Sequence, residues 1–433
     1  MTTNDKPLKH KMFLTDNNWR KLRNNVPTII LLLVGLIAGS SMISAYGPLS
    51  VPDPSLHVST TYALATGQSF NRPILETDAY GNSVRMQYIT GESSILKAEA
   101  NNSTITDLLQ KQFVDDTLEN QIHSLRQPSH TITVASRSNQ YPPMAYMPQA
   151  VGMWTARALK LDNLRQLQAA RISNLIFYLF VCTVAITRLK TGKWIYTISL
   201  ANPISIFIAS SLSGDSMVIS VSALAVASIA TRMKQHKTLS ISDSIYIAII
   251  FSLLIPLKLA YSTLYILFLA IPSYIWPIRK RLITASTSIT IGLIPYFIWF
   301  TQIGKTYAIS NESENINYLT HHFVKSLFTI VSSSLNSLLS LLFIPGIMSS
   351  VLMLIIIVMY NTGHHSVDWI NALLVTFIIL SSMILIETAL FLTWNSPSHQ
   401  PSGMTLLGFQ ERYVIPLLPT LIMPFYKRIH VDE

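Results

Sequence analysis

Long apolar stretches separated by short polar segments dominate the pattern of the chain. A membrane-spanning helix needs about 20 mostly apolar residues. The stretches that approach this length lie at residues 27–46, 172–187, 194–212, 217–233, 245–257, 259–276, 282–300, 344–360, 372–393 and 414–426. The pattern therefore predicts an all-α integral membrane protein with about ten transmembrane helices.

A long polar segment, residues 47–171, separates the first two predicted spans and is rich in turn-forming residues. We predict that it forms a large extracytoplasmic loop subdomain, with helices at 55–67, 106–124 and 148–159 and a hairpin within 82–99. The third helix is amphipathic, and its pattern directs Val151, Met153, Trp154 and Leu159 to the membrane interface. A second polar segment, 303–325, is predicted to lead into an interfacial helix that continues to residue 342.

The basic residues indicate the orientation of the chain, because short cytoplasmic segments retain Lys and Arg. They gather at residues 1–26, 188–193, 232–237, 279–281 and 427–428. We therefore predict cytoplasmic tails at 1–26 and 427–433, which enclose a first span at 27–46 and a multispan domain at 172–426.

The composition agrees with a membrane protein, since 50% of the 433 residues are hydrophobic and only 12% are charged. Topology accounts for the net charge of +10, so no nucleic-acid partner is expected. A single cysteine, Cys182, excludes an intramolecular disulfide. The first apolar stretch could be read as a cleaved signal peptide, but it is long enough to remain as a span.

Ionisable groups near the hydrocarbon core are costly, so each one needs a reason. The predicted topology places several of them at the outer ends of spans: Asp53, Asp215, Lys258, Glu387 and Arg412. His57 follows Asp53 by four residues and shares a helix face with it. We expect these segments to bring their polar groups to one face.

Each of these groups has a structural interpretation beside the functional one. Asp53 and Asp215 could be helix N-caps, Lys258 could extend to the membrane surface, and His57 could pack at the interface. As functional groups, His57 and Asp53 could relay a proton, while Lys258 and Arg412 could bind a phosphate.

Further candidates for substrate binding flank these positions. Gln410 and Tyr413 lie beside Arg412, and Tyr141 and Tyr146 belong to a proline-rich strap at residues 140–148. The tyrosine rings could lie at the headgroup level or stack on a sugar ring. No Cys/His metal signature, Walker loop or nucleophile elbow occurs, and a divalent cation remains possible without an obvious carboxylate cage.

Taken in order, these motifs resemble a family of bacterial multispan proteins, domain of unknown function 2142 (DUF2142), over nearly the whole chain. The resemblance rests on Pro52-Asp53 with His57 and Gly67, Tyr141-Pro142-Pro143 with Tyr146 and Pro148, Ala170-Arg171 with Asn174, Asn202-Pro203 with Ser211-Leu212-Ser213 and Asp215, Lys258 with Tyr261, and Gly408 with Gln410, Arg412-Tyr413 and Pro416.

That family is similar in layout to the type C glycosyltransferases (GT-C), whose donors are polyprenyl-phosphate sugars. The resemblance implies a bacterial plasma-membrane enzyme in which Asp53 is the general base and Lys258 and Arg412 hold the donor phosphate. We expect His57 to orient the acceptor, which would be a cell-surface glycan or a lipid-linked acceptor. Two alternatives stay open: a transporter or flippase for lipid-linked sugars or polysaccharide, and a non-catalytic scaffold of a surface-glycan assembly.

Overall fold

The computed structural model describes residues 16–51, 53–77, 83–96, 116–136, 142–233, 238–303, 312–341, 367–393, 395 and 406–426. Most of these residues are helical. The α-helices are α1 (Asp16–Ala45), α2 (Pro54–Ala65), α3 (Ser93–Leu96), α4 (Asp116–Arg126), α5 (Met147–Ala158), α6 (Asn163–Arg188), α7 (Lys193–Leu200), α8 (Pro203–Ala209), α9 (Asp215–Met233), α10 (Ile241–Ser252), α11 (Leu254–Leu257), α12 (Ile278–Gln302), α13 (Glu312–His321), α14 (Phe323–Leu341) and α15 (Trp369–Thr393). Further 3₁₀ segments include Pro143–Tyr146, Leu259–Ala270, Glu411–Tyr413 and Ile415–Phe425.

Six of the described helices are long and apolar enough to cross a membrane. They are α6, α9, α12, α14, α15 and the part of α1 from Asn24 to Ala45. The chain is therefore a multi-pass membrane protein built mainly from helices.

The predicted spans correspond unevenly to these helices. Five predicted stretches match α1, α6, α9, α12 and α15, and the stretch at 344–360 lies outside the described residues. The stretches at 259–276 and 414–426 contain the two long 3₁₀ segments, and that at 245–257 is divided between α10 and α11.

One prediction about an individual span is wrong. The stretch at 194–212 is not one helix, because Pro203 cannot continue a helix and the side chain of Asn202 accepts a hydrogen bond from the Ser205 amide (2.9 Å), which begins α8. The helix predicted to end at residue 342 is present as α14, which is also long and apolar enough to cross a membrane. Its serines lower its mean hydropathy to 1.2, so the sequence pattern did not indicate that it could span the membrane.

The polar segment between α1 and α6 contains a three-stranded antiparallel sheet of β1 (Ile74–Thr77), β2 (Ser83–Glu92) and β3 (Thr131–Ser136), in that order. The predicted hairpin within 82–99 is wrong, because β2 is one continuous strand with a partner on each side. Alternation of apolar and polar residues identifies a strand but does not identify its partners. Here β3 pairs with β2 from about 40 residues away, with Ile89 opposite Val134.

The helices predicted in this segment are largely present. The structure has α2 and α5 close to their predicted positions, and α4 overlaps the end of the 106–124 prediction, whose first part lies outside the described residues. Val151 and Trp154 on α5 and Leu159 just after it are exposed, as predicted, but Met153 is fully buried. Met153 belongs to the face of α5 that packs on the start of α6.

Close contact between α5 and α6 depends on Gly152. A Cβ atom there would collide with the backbone oxygen of Ala169 and the side chain of Ser173. We expect Gly152→Ala to destabilise the protein by about 1–3 kcal/mol, because the backbone atom cannot move aside. Thermal unfolding in detergent tests this, with Ala150→Gly as a comparison that opens space; an unchanged melting temperature for Gly152→Ala would show that the two helices separate without cost.

The end of α1 is tied to the rest of the fold by the buried side chain of Arg171. Its guanidinium donates to the carbonyl oxygens of Met42 (3.1 Å), Ile43 (3.1 Å), Tyr46 (3.0 Å) and Ser210 (2.7 Å). The last carbonyls of a helix have no partner within the helix, and five N–H donors on one planar group can satisfy several of them. Arg171 therefore fixes the direction in which the chain leaves α1 toward Asp53.

Candidate functional site

Four charged side chains from distant parts of the chain form one ion-pair network. Arg412 Nη2 donates to Oδ2 of Asp53 at 2.8 Å, and Arg412 Nε lies 3.1 Å from Oδ2 of Asp215. Lys258 Nζ donates to Oδ1 of Asp215 at 3.3 Å. The structure thus brings together four of the residues singled out from the sequence.

The secondary structure explains why these side chains meet. Helix α9 begins at Asp215, and the chain returns through α10 and α11 to end at Leu257, one residue before Lys258. Asp215 and Lys258 therefore lie at the same end of an antiparallel pair. Arg412 lies in the turn before Ile415–Phe425, which packs against α9, and Asp53 immediately precedes α2.

Asp53 does not cap α2 with its side chain. It occupies the position before the helix, but its carboxylate makes no hydrogen bond to the helix backbone and instead pairs with Arg412. Its backbone is left-handed, with φ 55° and ψ 49°, a conformation that costs energy for a residue other than glycine. Strained backbones are concentrated at functional sites, where the surrounding structure maintains them.

Asp215 is the centre of the network rather than a helix cap. It is the first residue of α9, and its two carboxylate oxygens contact different cations, Lys258 and Arg412. A largely buried carboxylate is tolerated when it is paired in this way. Asp215 therefore sets the separation between the two cations.

The two cations also contact an aromatic ring. Lys258 Nζ lies 4.2 Å from the centre of the Tyr413 ring, and the backbone oxygen of Tyr413 accepts a 2.7 Å hydrogen bond from Tyr261. Lys258 thus points into the protein and not toward the membrane surface. Burial opposes the charge on Arg412, but Asp215 and Asp53 outweigh it and raise its pKa, so Arg412 is a permanent cation.

His57 lies beside this network and is buried. Its Nδ1 is hydrogen-bonded to the hydroxyl of Tyr146 at 2.8 Å. Burial and then the nearby charge of Arg412 lower the pKa of His57 to about 4, so the imidazole is neutral near pH 7. His57 and Tyr146 are thus packed against each other inside the protein, and Tyr146 is only 4% exposed.

The low pKa of His57 predicts how the stability of the protein depends on pH. An unfolded histidine titrates near 6.5, whereas the folded pKa is about 4, so the unfolded chain binds more protons between these values. Stability contributed by neutral His57 is fully present above about pH 6.5 and is lost as the pH falls, on the order of 2 kcal/mol at about pH 5.

We therefore expect the melting temperature in detergent to fall more between about pH 7.5 and about pH 5 for the unaltered protein than for His57→Gln. The exposed His321→Gln serves as the control and should keep the full decrease. Equal decreases for all three proteins would contradict a neutral buried His57.

Two polar side chains that were not among the candidate site residues hold the turn before Asp215. Gln149 donates to the backbone oxygen of Ser213 at 2.8 Å, and Asn174 donates to that of Ser211 at 2.9 Å. A Cβ on Gly214 would lie 3.0 Å from the Cβ of Ala145 and 3.1 Å from the Tyr146 ring, so a larger residue there would require these neighbours to shift slightly. In the sequence, the one indication of these contacts is that Gln149 and Asn174 are polar residues within otherwise apolar helical stretches.

The remaining candidates are less closely joined to this network. Gln410 lies two residues before Arg412, and Tyr141 lies outside the described residues. Glu387 is buried elsewhere, where it accepts hydrogen bonds from Ser333 (3.0 Å) and Ser337 (2.7 Å) of α14. Glu387 is thus bonded to another helix and lies outside the ion-pair network, so it does not share a face with the other charged groups as predicted.

The donor set does not suit a metal ion. Within the described parts of the chain, no group of three or more His, Cys, Asp or Glu residues could hold one. Asp53 and Asp215 are both occupied by cationic side chains. We therefore derive no chemical step through a metal.

Comparison with known proteins identifies one family. Residues 33–421 match the family model described as predicted membrane protein DUF2142. No curated protein and no solved structure matches the chain. Because the match covers most of the sequence and all four residues of the ion-pair network, this protein belongs to the DUF2142 family of predicted membrane proteins.

Proposed function

We propose that the protein is a membrane glycosyltransferase that moves a sugar from a polyprenyl-phosphate donor to a cell-surface glycan or a lipid-linked acceptor. In this reaction the acceptor oxygen bonds to the anomeric carbon while the bond from that carbon to the phosphate oxygen breaks. The acceptor proton passes to the carboxylate of Asp53. The bonding electron pair leaves with the polyprenyl phosphate, whose growing charge is met by Arg412 and Lys258.

The observation that carries the proposal is the unused hydrogen-bonding capacity of Arg412. The side chain is 4% exposed, and its Nη1 is buried with no hydrogen-bond partner among the described residues. Buried polar groups in proteins are nearly always satisfied, so such a group needs an explanation. A guanidinium with a terminal nitrogen to spare, next to an ammonium, suits a phosphate.

Asp53 is suited to the base role by its accessibility. Its side chain is 31% exposed, more than those of Asp215, Lys258 and Arg412. An acceptor hydroxyl can therefore approach Asp53, while the cations stay further inside. Transfer of a proton to Asp53 would also weaken its attraction for Arg412, which frees the guanidinium as charge grows on the leaving phosphate.

His57 completes the site as a neutral hydrogen-bonding group. Its Nε2 is buried and has no partner within the described chain, while Nδ1 is engaged by Tyr146. We propose that His57 orients the acceptor by a hydrogen bond. Because its ring is neutral, it adds no further positive charge beside Arg412 and Lys258. Tyr146 fixes the ring plane and is a positioning residue.

Sidedness follows from the distribution of basic residues. Arg188, Lys190 and Lys193 lie between α6 and α7, and Arg279 and Lys280 lie at the start of α12, at the other end of the helices from Asp215 and Lys258. Since cytoplasmic loops retain such residues, the site faces outward from a bacterial plasma membrane, the loop before α6 is extracytoplasmic, and both termini are cytoplasmic.

A liposome assay tests the proposal. Purified full-length protein is reconstituted and supplied with radiolabelled polyprenyl-phosphate sugar and a candidate acceptor glycan. We expect label to move from lipid to acceptor, and Asp53→Asn to abolish that transfer. Label that crosses the bilayer still attached to its lipid, at the same rate with Asp53→Asn, would replace the enzyme with a flippase. No transfer and no crossing, over a panel of sugars, would favour a scaffold.

A further inference from the structure

A groove lies between the starts of α10 and α12, far from the ion-pair network. It has a volume of about 240 Å³ and is lined by Ser240, Ile241, Ser244, Ile245, Ala248, Lys280, Ile283, Thr284 and Thr287. The first half of the apolar run Ile241–Leu257 lines the groove, and its second half separates Ala248 from Lys258 by about 15 Å at the rise of an α-helix. The groove therefore lies at the opposite end of the helices from the site.

The polar part of the groove offers hydrogen-bond donors. Lys280 is exposed, and within the described chain neither its ammonium nor the hydroxyls of Ser244 and Thr287 have a partner. The other two hydroxyls are already used: Ser240 bonds to Asp243, and Thr284 donates to the backbone oxygen of Lys280. The ammonium of Lys280 and the hydroxyl of Ser244 suit the oxygens of a phosphate group, whereas Thr287 lies about 10 Å further along α12 from Lys280, deeper in the groove.

The apolar part of the groove suits a hydrocarbon chain. Ile241, Ile245 and Ile283 are more than half exposed, and Ala248 leaves space between the two helices. In a membrane these side chains face acyl chains. The combination of a polar end and an apolar wall fits an amphiphile with a phosphate headgroup.

The charge at this end of the helices favours an anionic amphiphile over a zwitterionic one. Arg279 and Lys280 are both exposed, and the nearby Asp243 is already paired with Arg232 at 2.7 Å. The local charge that a ligand meets is thus positive. We propose that the groove binds one anionic phospholipid, with its phosphate on Lys280 and an acyl chain along Ile245 and Ile283.

Native mass spectrometry of the full-length protein in detergent tests this inference. The protein is incubated with equal amounts of phosphatidylglycerol and phosphatidylcholine. We expect about five-fold more bound phosphatidylglycerol, the preference that one lysine near an anionic surface supplies. Lys280→Ala should remove this preference, whereas Arg279→Ala, which removes the same charge from a residue that does not line the groove, should keep most of it.

A second variant tests the groove without changing any charge. Ala248→Phe fills the space between the helices and should lower phosphatidylglycerol binding as much as Lys280→Ala does. Equal losses for Lys280→Ala and Arg279→Ala would overturn the proposal in favour of diffuse surface charge. Equal binding of both lipids, or unaltered binding by Ala248→Phe, would also overturn it. No sugar donor is present, so the result is independent of the proposed transferase activity.

Discussion

Replacing Arg412 by alanine is expected to destabilise the protein by about 3–5 kcal/mol, the cost of breaking a buried ion pair, and to abolish transfer. The guanidinium contacts both Asp53 and Asp215, at 2.8 and 3.1 Å. Without it, Lys258 alone would face two carboxylates. Thermal unfolding in detergent measures the first effect, and the liposome assay measures the second.

Two further variants separate the loss of fold from the loss of chemistry. Arg412→Lys keeps the charge but cannot contact both carboxylates from two nitrogens, so we expect partial recovery of stability and little transfer. Arg157→Ala breaks a half-buried pair with Glu92 (3.0 Å) in the polar segment before α6. It should lower the melting temperature yet retain transfer per folded molecule. A normal melting temperature for Arg412→Ala would contradict the ion-pair network.

Replacing Asp53 is expected to reduce transfer strongly but stability only slightly. Asp53→Asn should reduce transfer by about 10²–10⁴-fold, the usual contribution of a general base. It should cost about 1 kcal/mol of stability through the lost, partly exposed ion pair with Arg412, without added backbone strain, because asparagine also accepts the left-handed backbone. Asp53→Gly should lose transfer equally. It should keep near-normal stability, because relief of about 1 kcal/mol of backbone strain offsets the lost ion pair.

The chain offers a matched control for the backbone effect. Lys160 also has a φ of 55° and lies just after α5, where glycine is favoured at a helix end. Lys160→Gly should therefore raise the melting temperature and leave transfer unchanged. Full transfer by Asp53→Asn would refute a base role for Asp53, whatever its effect on stability.

The sequence indicated which charged residues need an explanation, but not the partners of these residues. Charged groups are so costly near hydrocarbon that Asp215, Lys258 and Arg412 could be singled out individually, and alternating topology indicated that they share one end of the helices. Their partners could not be assigned, because a capping aspartate and an ion-paired aspartate have the same local pattern. Asp53 was ambiguous for this reason until the position of Arg412 was known.

Contacts across long sequence separations account for most of what was missed. The hydrogen bond between His57 and Tyr146 spans 89 positions, and no local periodicity indicates it. The pairing of β2 with β3 was missed for the same cause. The break within the 194–212 stretch could have been predicted, since Asn202-Pro203 is a helix-start signal. The stretch is apolar on both sides of this signal, so its hydropathy alone predicts one span.

The contact between Asp53 and Arg412 joins residues 359 positions apart, which has a consequence for biosynthesis. At ribosomal speeds of 5–20 residues per second, about 20 to 70 s pass between the synthesis of the two residues. During that interval the nascent polypeptide carries the carboxylate without its guanidinium partner. The ion-pair network can therefore form only after Arg412 has been synthesised, and a nascent chain that stops before this residue lacks the network.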